Sequence, residues 1–259
     1  MSKSIETQLL MLAFYLLLIG CSDEPKAPAP QDSTVMGKLI AHRGLWNVPG
    51  ASQNSLASLQ LAFESDWFIG AETDIYETSD GYFVLYHDMN INGIPLTEMP
   101  LKDIQSHKLS NGETIPTFDE ALELLSAYPN KYLMLDLKGM ESEDFVEYIK
   151  DYPHKDQLIY KSFSTKICRI LREADLSPVY LITWDISEVD LNYCIDNGLS
   201  GVSVYTGSIS EHPQSVEEYH RRGLKYLAWS PAHYNSILEY LNLGADMVVT
   251  DWIPYYSEQ

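Results

Sequence analysis

Three short strings in this chain carry residue types that can do chemistry on an anionic ester: His42-Arg43-Gly44, Glu72-Thr73-Asp74 and His87-Asp88. Imidazoles exchange protons near neutral pH, so His42 and His87, placed on opposite sides of a phosphorus atom, can serve as general base and general acid. Arg43 offers the paired donors that suit phosphate oxygens. Glu72, Asp74 and a third carboxylate, Asp136, form a hard-oxygen set without cysteine or an obvious third histidine, which favours Mg²⁺ or Ca²⁺ over zinc. An ion held there would neutralise ester oxygens and stabilise charge in the transition state. The class of protein these residues imply is an enzyme that carries out metal-assisted attack on an anionic ester.

For such residues to act together, the fold must bring them to one place. Apolar or β-branched runs alternate with amphipathic stretches along most of the chain, as in a parallel sheet with helical crossovers. The runs read as strands are Leu39–His42, Ala71–Tyr76, Tyr82–His87, Tyr132–Leu137, Leu158–Phe163, Val179–Thr183, Gly201–Tyr205, Lys225–Trp229 and Met247–Thr250. Tyr76 and Tyr82 are too close in sequence for a parallel crossover, which needs about a dozen residues or more, so Tyr82–His87 must return antiparallel. Eight parallel strands remain, and the expected fold is an α/β (β/α)8 TIM barrel with a β-hairpin after its second strand.

In such a barrel, catalytic groups sit at the carboxyl ends of the strands. His42 and Arg43 end strand one, Glu72 and Asp74 lie on strand two, and Asp136 and Lys138 on strand three. Each two-residue spacing directs both members to one face. Asp80-Gly81 is a dipeptide of two-residue type I′ turns. If those two residues form the loop, Ser79 pairs with Tyr82 and Asp74 stands opposite His87. Three carboxylates, two histidines and two cations at one barrel end are costly to desolvate unless a metal or an anion balances them.

Helices are expected over Ser52–Ser65, Thr117–Ala127, Ser142–Lys150, Thr165–Ala174, Glu188–Asn197, Pro213–Arg222 and His233–Asn242. Thr117 and Glu120 have capping-box spacing. The chain stops shortly after the last strand, so the eighth helix should be missing or reduced. Asp88 to Pro116 reads as a long irregular insertion where loops above a barrel shape the substrate pocket.

The amino-terminal segment reads as something other than fold. Leu9 to Ile19 is an apolar run too short to span a bilayer, the form of a signal peptide over residues 1–20. Leu18-Ile19-Gly20-Cys21 resembles a bacterial lipobox, which makes Cys21 the lipidated first residue of the mature chain. Ser22 after it resembles the outer-membrane sorting pattern, should the source have two membranes. Residues 21–37, with Pro25, Pro28 and Pro30, form a tether that cannot bury a core, and residues 38–259 form one catalytic domain of roughly 220 residues. The expected location is the cell envelope, on the periplasmic or extracellular face of the membrane that holds the lipid. A net charge of −20 argues against nucleic acid as a partner, because phosphate backbones require a basic surface. With Cys21 assigned to lipid, Cys168 and Cys194 remain on predicted helices and read as buried thiols rather than a disulfide.

These residues, in this order, resemble the glycerophosphodiester phosphodiesterases, a family within the phosphatidylinositol-phospholipase-like barrels. The resemblance rests on Ala41-His42-Arg43-Gly44, Gly70-Ala71-Glu72-Thr73-Asp74, Asp80-Gly81 followed by His87-Asp88, Ile115-Pro116-Thr117-Phe118-Asp119-Glu120-Ala121-Leu122, Asp136-Leu137-Lys138, Lys161-Ser162-Phe163 and the closing Gly244 to Asp251. It implies that His42 and His87 are the acid/base pair, that Arg43 and Lys138 hold phosphate, and that Glu72, Asp74 and Asp136 bind the metal. Trp229 matches the family's pocket-lining aromatic. Two positions depart from the family pattern. Gln53-Asn54-Ser55 stands where Glu-Asn-Thr is usual, and Asp136 replaces a glutamate, one methylene longer, so it must approach more closely or act through water.

The activity implied is metal-dependent hydrolysis of a glycerophosphodiester to glycerol phosphate and an alcohol. The attacking oxygen is either water or the substrate's own glycerol hydroxyl. Alternatives are the same chemistry on a lysophospholipid, an inositol phosphate ester or a teichoic-acid-like polymer, and a catalytically weak surface-binding barrel in which Gln53 and Asp136 mark decay.

Overall fold

The protein is described by a computed structural model covering residues 33–139, 143–185, 187–207 and 213–254; the expected signal peptide, Cys21 and most of the expected tether lie outside the described residues. The strands, in chain order, are β1 (Leu39–Ala41), β2 (Gly70–Glu77), β3 (Phe83–Leu85), β4 (Asn90–Ile91), β5 (Ile94–Pro95), β6 (Tyr132–Leu137), β7 (Leu158–Ser162), β8 (Val179–Thr183), β9 (Gly201–Tyr205), β10 (Lys225–Trp229) and β11 (Met247–Thr250). Parallel pairing runs β1, β2, β6, β7, β8, β9, β10, β11 and back to β1, which closes an eight-stranded barrel. The expected fold class is therefore the observed one.

The ring is sealed where β1 is shortest. Leu39 to Ala41 pair with Val248 to Thr250, and Ile40 and Ala41 pair with Gly70 and Ala71. Because β1 stops at Ala41, one residue earlier than expected, His42 leaves the ladder and begins a loop. β2 runs on past that point, and its far end pairs with the antiparallel β3.

The helices are α1 (Leu56–Glu64), α2 (Leu101–Ile104), α3 (Phe118–Ser126), α4 (Asp144–Ile149), α5 (Thr165–Glu173), α6 (Glu188–Asp196), α7 (Pro213–Arg221) and α8 (Tyr234–Asn242). All but α2 pack their apolar residues onto the outward residues of the strands, forming the main core, while Ile40, Met134, Ile159, Tyr180, Leu227 and Val249 fill the barrel interior. Thr117 and Glu120 form the expected capping box at α3. α1 begins at Leu56 rather than Ser52. Asn54 takes φ +58°, outside the helical region, and Ser55 caps the helix by accepting from Ser58 N. Residues 251–254 after β11 carry no helix; the rest of the expected reduced helix lies outside the described residues.

The hairpin differs from expectation by one residue. Ile75 pairs with Leu85 and Glu77 with Phe83, so the register places Asp74 beside Tyr86, whose N–H donates to Asp74 O at 3.1 Å. The loop has three residues, closed by Thr78 N to Tyr82 O at 2.8 Å, with Gly81 at φ +81°. Its geometry follows from the insertion. Ser79 N donates to Met99 O, and Asp80 accepts from Leu101 N and Thr78 Oγ1, which removes Ser79 from pairing. A one-residue slip reverses the facing of a strand, but β3 ends at Leu85, so His87 is positioned by the turn beyond it.

The insertion is less irregular than its sequence suggests. β4 and β5 form a small antiparallel pair, and Ile91, Leu96, Met99, Ile104 and Ile115 form a separate core with Tyr76 and Val84. Cys168 on α5 and Cys194 on α6 are free and buried. Burial pushes both thiols up to about 12.

Candidate active site

The loop after β1 is built around Arg43. Its backbone adopts φ +56°, a region that costs a non-glycine residue of order 1–3 kcal/mol and that persists where surrounding contacts enforce it. Here the contacts run to β2 and to the turn before α1. Arg43 N donates to Glu72 Oε2 at 2.9 Å, Asn54 N donates to Arg43 O at 3.0 Å and Gly44 N to Glu72 O at 3.1 Å. Gly44 follows at φ +77°, and a Cβ there would stand 2.6 Å from the Ser58 backbone carbon. Only glycine lets this loop lie against α1.

His42 N is tied to Thr250 O on β11, and its ring meets the residue just beyond that strand. His42 Nδ1 and Asp251 Oδ1 are 3.0 Å apart, and Trp46 Nε1 donates to the same oxygen at 3.1 Å. Burial works to raise the Asp251 carboxyl, but the His42 hydrogen bond and charge, then Trp46, hold it below the usual carboxylate range. A carboxylate can only accept, so Nδ1 carries a proton in this contact and Nε2 is the nitrogen left to exchange one.

The carboxylates come from adjacent strands. Asp74 on β2 is in register with Asp136 on β6, which is in register with Lys161 on β7; Glu72 lies one inward position earlier. One oxygen from each of Glu72, Asp74 and Asp136 falls within 4.8 Å of the others. Asn54 fixes Asp74, its Nδ2 donating to Asp74 Oδ2 at 2.8 Å and its Oδ1 accepting from Asp74 N at 3.1 Å and Thr73 Oγ1 at 2.7 Å. Lys138 Nζ stands 2.7 Å from Asp74 Oδ1 and 3.5 Å from Asp136 Oδ2.

Electrostatics separates the two buried acids. Burial opposes ionisation of Glu72, yet Lys161, then His42 and the Arg43 N–H, bring it down to about 2. Burial dominates at Asp136, and with neighbouring Asp74 and Glu72 it outweighs Lys161 and Lys138, raising the carboxyl to about 6. Burial would lower the Lys138 ammonium, but Asp136 and Asp74 raise it overall.

This donor set fits a hard divalent cation. Asp136 Oδ1 is buried without a hydrogen-bond partner, and Glu72 Oε1 has the Lys161 ammonium at 3.0 Å but out of hydrogen-bond alignment. Two buried carboxylate oxygens thus hold unused lone pairs, which an oxygen-coordinated ion would satisfy. Arg43 Nε is also buried without a hydrogen-bond partner, 3.6 Å from Asp74 Oδ2.

A cavity of about 240 Å³ collects His42, Arg43, Asp74, His87, Asp136, Lys138 and Trp229, all expected from the sequence, with Glu72 buried at the same carboxylate cluster. His87 Nδ1 lies 2.9 Å from Asp88 Oδ1, at the exposed rim. A second cavity of about 220 Å³ adjoins His87 on another side, bounded by Trp46, Gln53 and Asn54 and by Leu109 and Ser110 of the insertion. Gln53 Oε1 accepts from Arg43 Nη1 at 2.7 Å, a neutral partner where a glutamate would carry a charge.

Trp229 is half-buried and donates from Nε1 to Ser203 O at 3.3 Å. It belongs to a larger aromatic group that sequence reading did not identify. Trp184, 63% exposed, stacks on Phe163 with ring centroids 5.6 Å apart and meets Trp229 edge-on at 5.2 Å; Tyr205 joins both. These rings stand at the carboxyl ends of β7, β8, β9 and β10. Lys161, Asn54 and Asp251 also lacked assigned roles. Lys161 carried a signal, being a cation inside a short apolar strand at the inward position two after Ile159.

A model of the Glycerophosphoryl diester phosphodiesterase family matches residues 42–254. The glycerophosphodiester phosphodiesterase of Caldanaerobacter subterraneus subsp. tengcongensis is 24% identical over 237 residues, covering 82% of this chain and 93% of that protein. The crystal structure of a glycerophosphodiester phosphodiesterase from Parabacteroides distasonis superposes with a TM-score of 0.76 at 27% identity, over 83% of this chain and 92% of that one. An Oleispira antarctica phosphodiesterase, solved in complex with the product sn-glycerol-3-phosphate, superposes with a TM-score of 0.73 at 25% identity, over 85% and 94% of the two chains.

Proposed function

Because the chain belongs to the glycerophosphoryl diester phosphodiesterase family, whose members are phosphoric diester hydrolases, we propose that it hydrolyses a glycerophosphodiester to glycerol phosphate and an alcohol, with His42 and His87 as the acid/base pair. The observation that supports these roles is the meeting of both histidines, two cations and the carboxylate cluster on one cavity. His42 Nε2, the nitrogen turned away from Asp251, exchanges a proton on one side of phosphorus, and His87 exchanges one on the other. Arg43 and Lys138 bind and orient the phosphodiester oxygens. Glu72, Asp74 and Asp136 would hold Mg²⁺ or Ca²⁺, which when bound neutralises phosphate oxygens and stabilises developing charge.

The test is release of glycerol phosphate and alcohol from a panel of glycerophosphodiesters. Wild-type protein should turn over and lose activity on chelation, while His42→Ala and His87→Ala, folded by circular dichroism, should lose about 10³-fold or more. Retained turnover in either variant sinks the acid/base assignment.

A second reading of the alcohol is favoured by the exposed rings of Phe163, Trp184 and Tyr205. They suit a diester whose alcohol carries an apolar or cationic part, such as a lysophospholipid; faster turnover of a lysophospholipid than of glycerophosphoglycerol would support it. We also propose a lipid anchor at Cys21 in the cell envelope, from the lipobox-like Leu18-Ile19-Gly20-Cys21. Metabolic labelling with a fatty acid should mark the wild type and not Cys21→Ser.

A further inference from the structure

Lys161 is an unusual occupant of a barrel interior. Every residue of β7 is buried, and the side chains of Lys161 and Glu72 are 4% and 1% exposed, with Nζ 3.0 Å from Glu72 Oε1. Its strand is paired on both sides, with Asp136 in register on β6 and Tyr180 on β8. The ammonium borders the cavity that also holds Arg43 and Lys138, but its low exposure leaves little solvent around it. A buried ion pair of this kind contributes little net stability.

Three carboxylates, Glu72, Asp74 and Asp136, face three cations, Arg43, Lys138 and Lys161, so their formal charges cancel before any ion enters. A divalent cation adds two positive charges to a balanced, poorly solvated cluster. Arg43 and Lys138 are 17% and 20% exposed and can turn toward an incoming phosphate. Lys161 stays, at short range from the ion and with little solvent to screen the repulsion.

Resting on the reading of Glu72, Asp74 and Asp136 as metal ligands, we propose that Lys161 is a fixed counter-ion that weakens divalent-cation binding until a phosphodiester supplies negative charge. The metal and the anionic substrate then bind with positive coupling, each raising the affinity of the other by the same factor.

The test is calorimetric titration of CaCl₂ and MgCl₂ into wild type, Lys161→Gln and Lys161→Arg, each with and without sn-glycerol 3-phosphate. Without the anion, Lys161→Gln should bind the cation about tenfold tighter or more, and Lys161→Arg, which keeps the charge, should stay near wild type. The anion should tighten cation binding in wild type, and by a smaller factor in Lys161→Gln. Equal or weaker cation affinity in Lys161→Gln overturns the role of Lys161 alone. No cation binding in any folded form overturns the metal site beneath it. If Lys161→Gln fails to fold without cation, the rise of its thermal midpoint on adding CaCl₂ replaces the titration; a rise no larger than that of wild type overturns the proposal.

Discussion

His42 and Asp251, from opposite ends of the barrel chain, meet at 3.0 Å between Nδ1 and Oδ1. The contact joins the loop after the first strand to the loop after the last, at the place where the ring closes. It fixes the ring orientation of His42 and its tautomer. Asp251→Asn should leave the fold intact and reduce kcat by about 10²-fold with little change in KM, because an amide can face the imidazole in either tautomer. Steady-state kinetics on a glycerophosphodiester would check it; an unchanged kcat excludes a positioning role.

The same carboxylate links folding to pH. Asp251 ionises more readily folded than unfolded, so the folded state binds fewer protons as pH falls into the carboxylate range, and protonation favours unfolding. Its contribution is complete above the unfolded value, near 4, and is lost as pH falls through the lower folded value. The stability gap between wild type and Asp251→Asn, read from urea midpoints, should shrink as pH falls below about 4.

Gly44 tests the loop that positions Arg43. Gly44→Ala must place a Cβ within 2.6 Å of the Ser58 backbone at φ +77°, so α1 or the loop must move. Destabilisation of about 2–4 kcal/mol is expected from clash and backbone strain together, measured by urea unfolding.

Trp184 tests the aromatic group. Trp184→Ala removes a ring that contacts Phe163, Tyr205 and Trp229. KM should rise roughly 3- to 10-fold with kcat nearly unchanged, the pattern of a group that binds substrate and transition state alike.

Cys168 and Cys194 should be inert. With thiols pushed up to about 12 by burial, folded Cys21→Ser protein should not react with Ellman's reagent, and two thiols should appear on unfolding.

The barrel was legible in sequence because its strands are short apolar runs at regular intervals, and the site because its residues fall at strand ends. Register was harder. Asp80-Gly81 fits a two-residue loop, and only the contacts of Ser79 and Asp80 with Met99 and Leu101, distant in sequence, lengthen it. Lys161 falls in the string Lys161-Ser162-Phe163, but its partner Glu72 lies two strands away, and nothing local indicates that meeting. Asn54 was hidden for a different reason. Its importance lies in a positive φ and three side-chain hydrogen bonds to β2, which a lone asparagine before a serine does not announce.

The insertion after β3 has a small core of its own, joined to the barrel through Tyr76 and Val84. Substitutions among Ile91, Leu96, Met99 and Ile104 therefore reshape the wall beside His87 without cutting into the packing that closes the ring. Such a cassette can be exchanged while His42 and the carboxylate cluster stay in place. Transplanting the equivalent segment of a relative onto this hairpin would change which alcohol is accepted and leave the barrel's unfolding transition where it was.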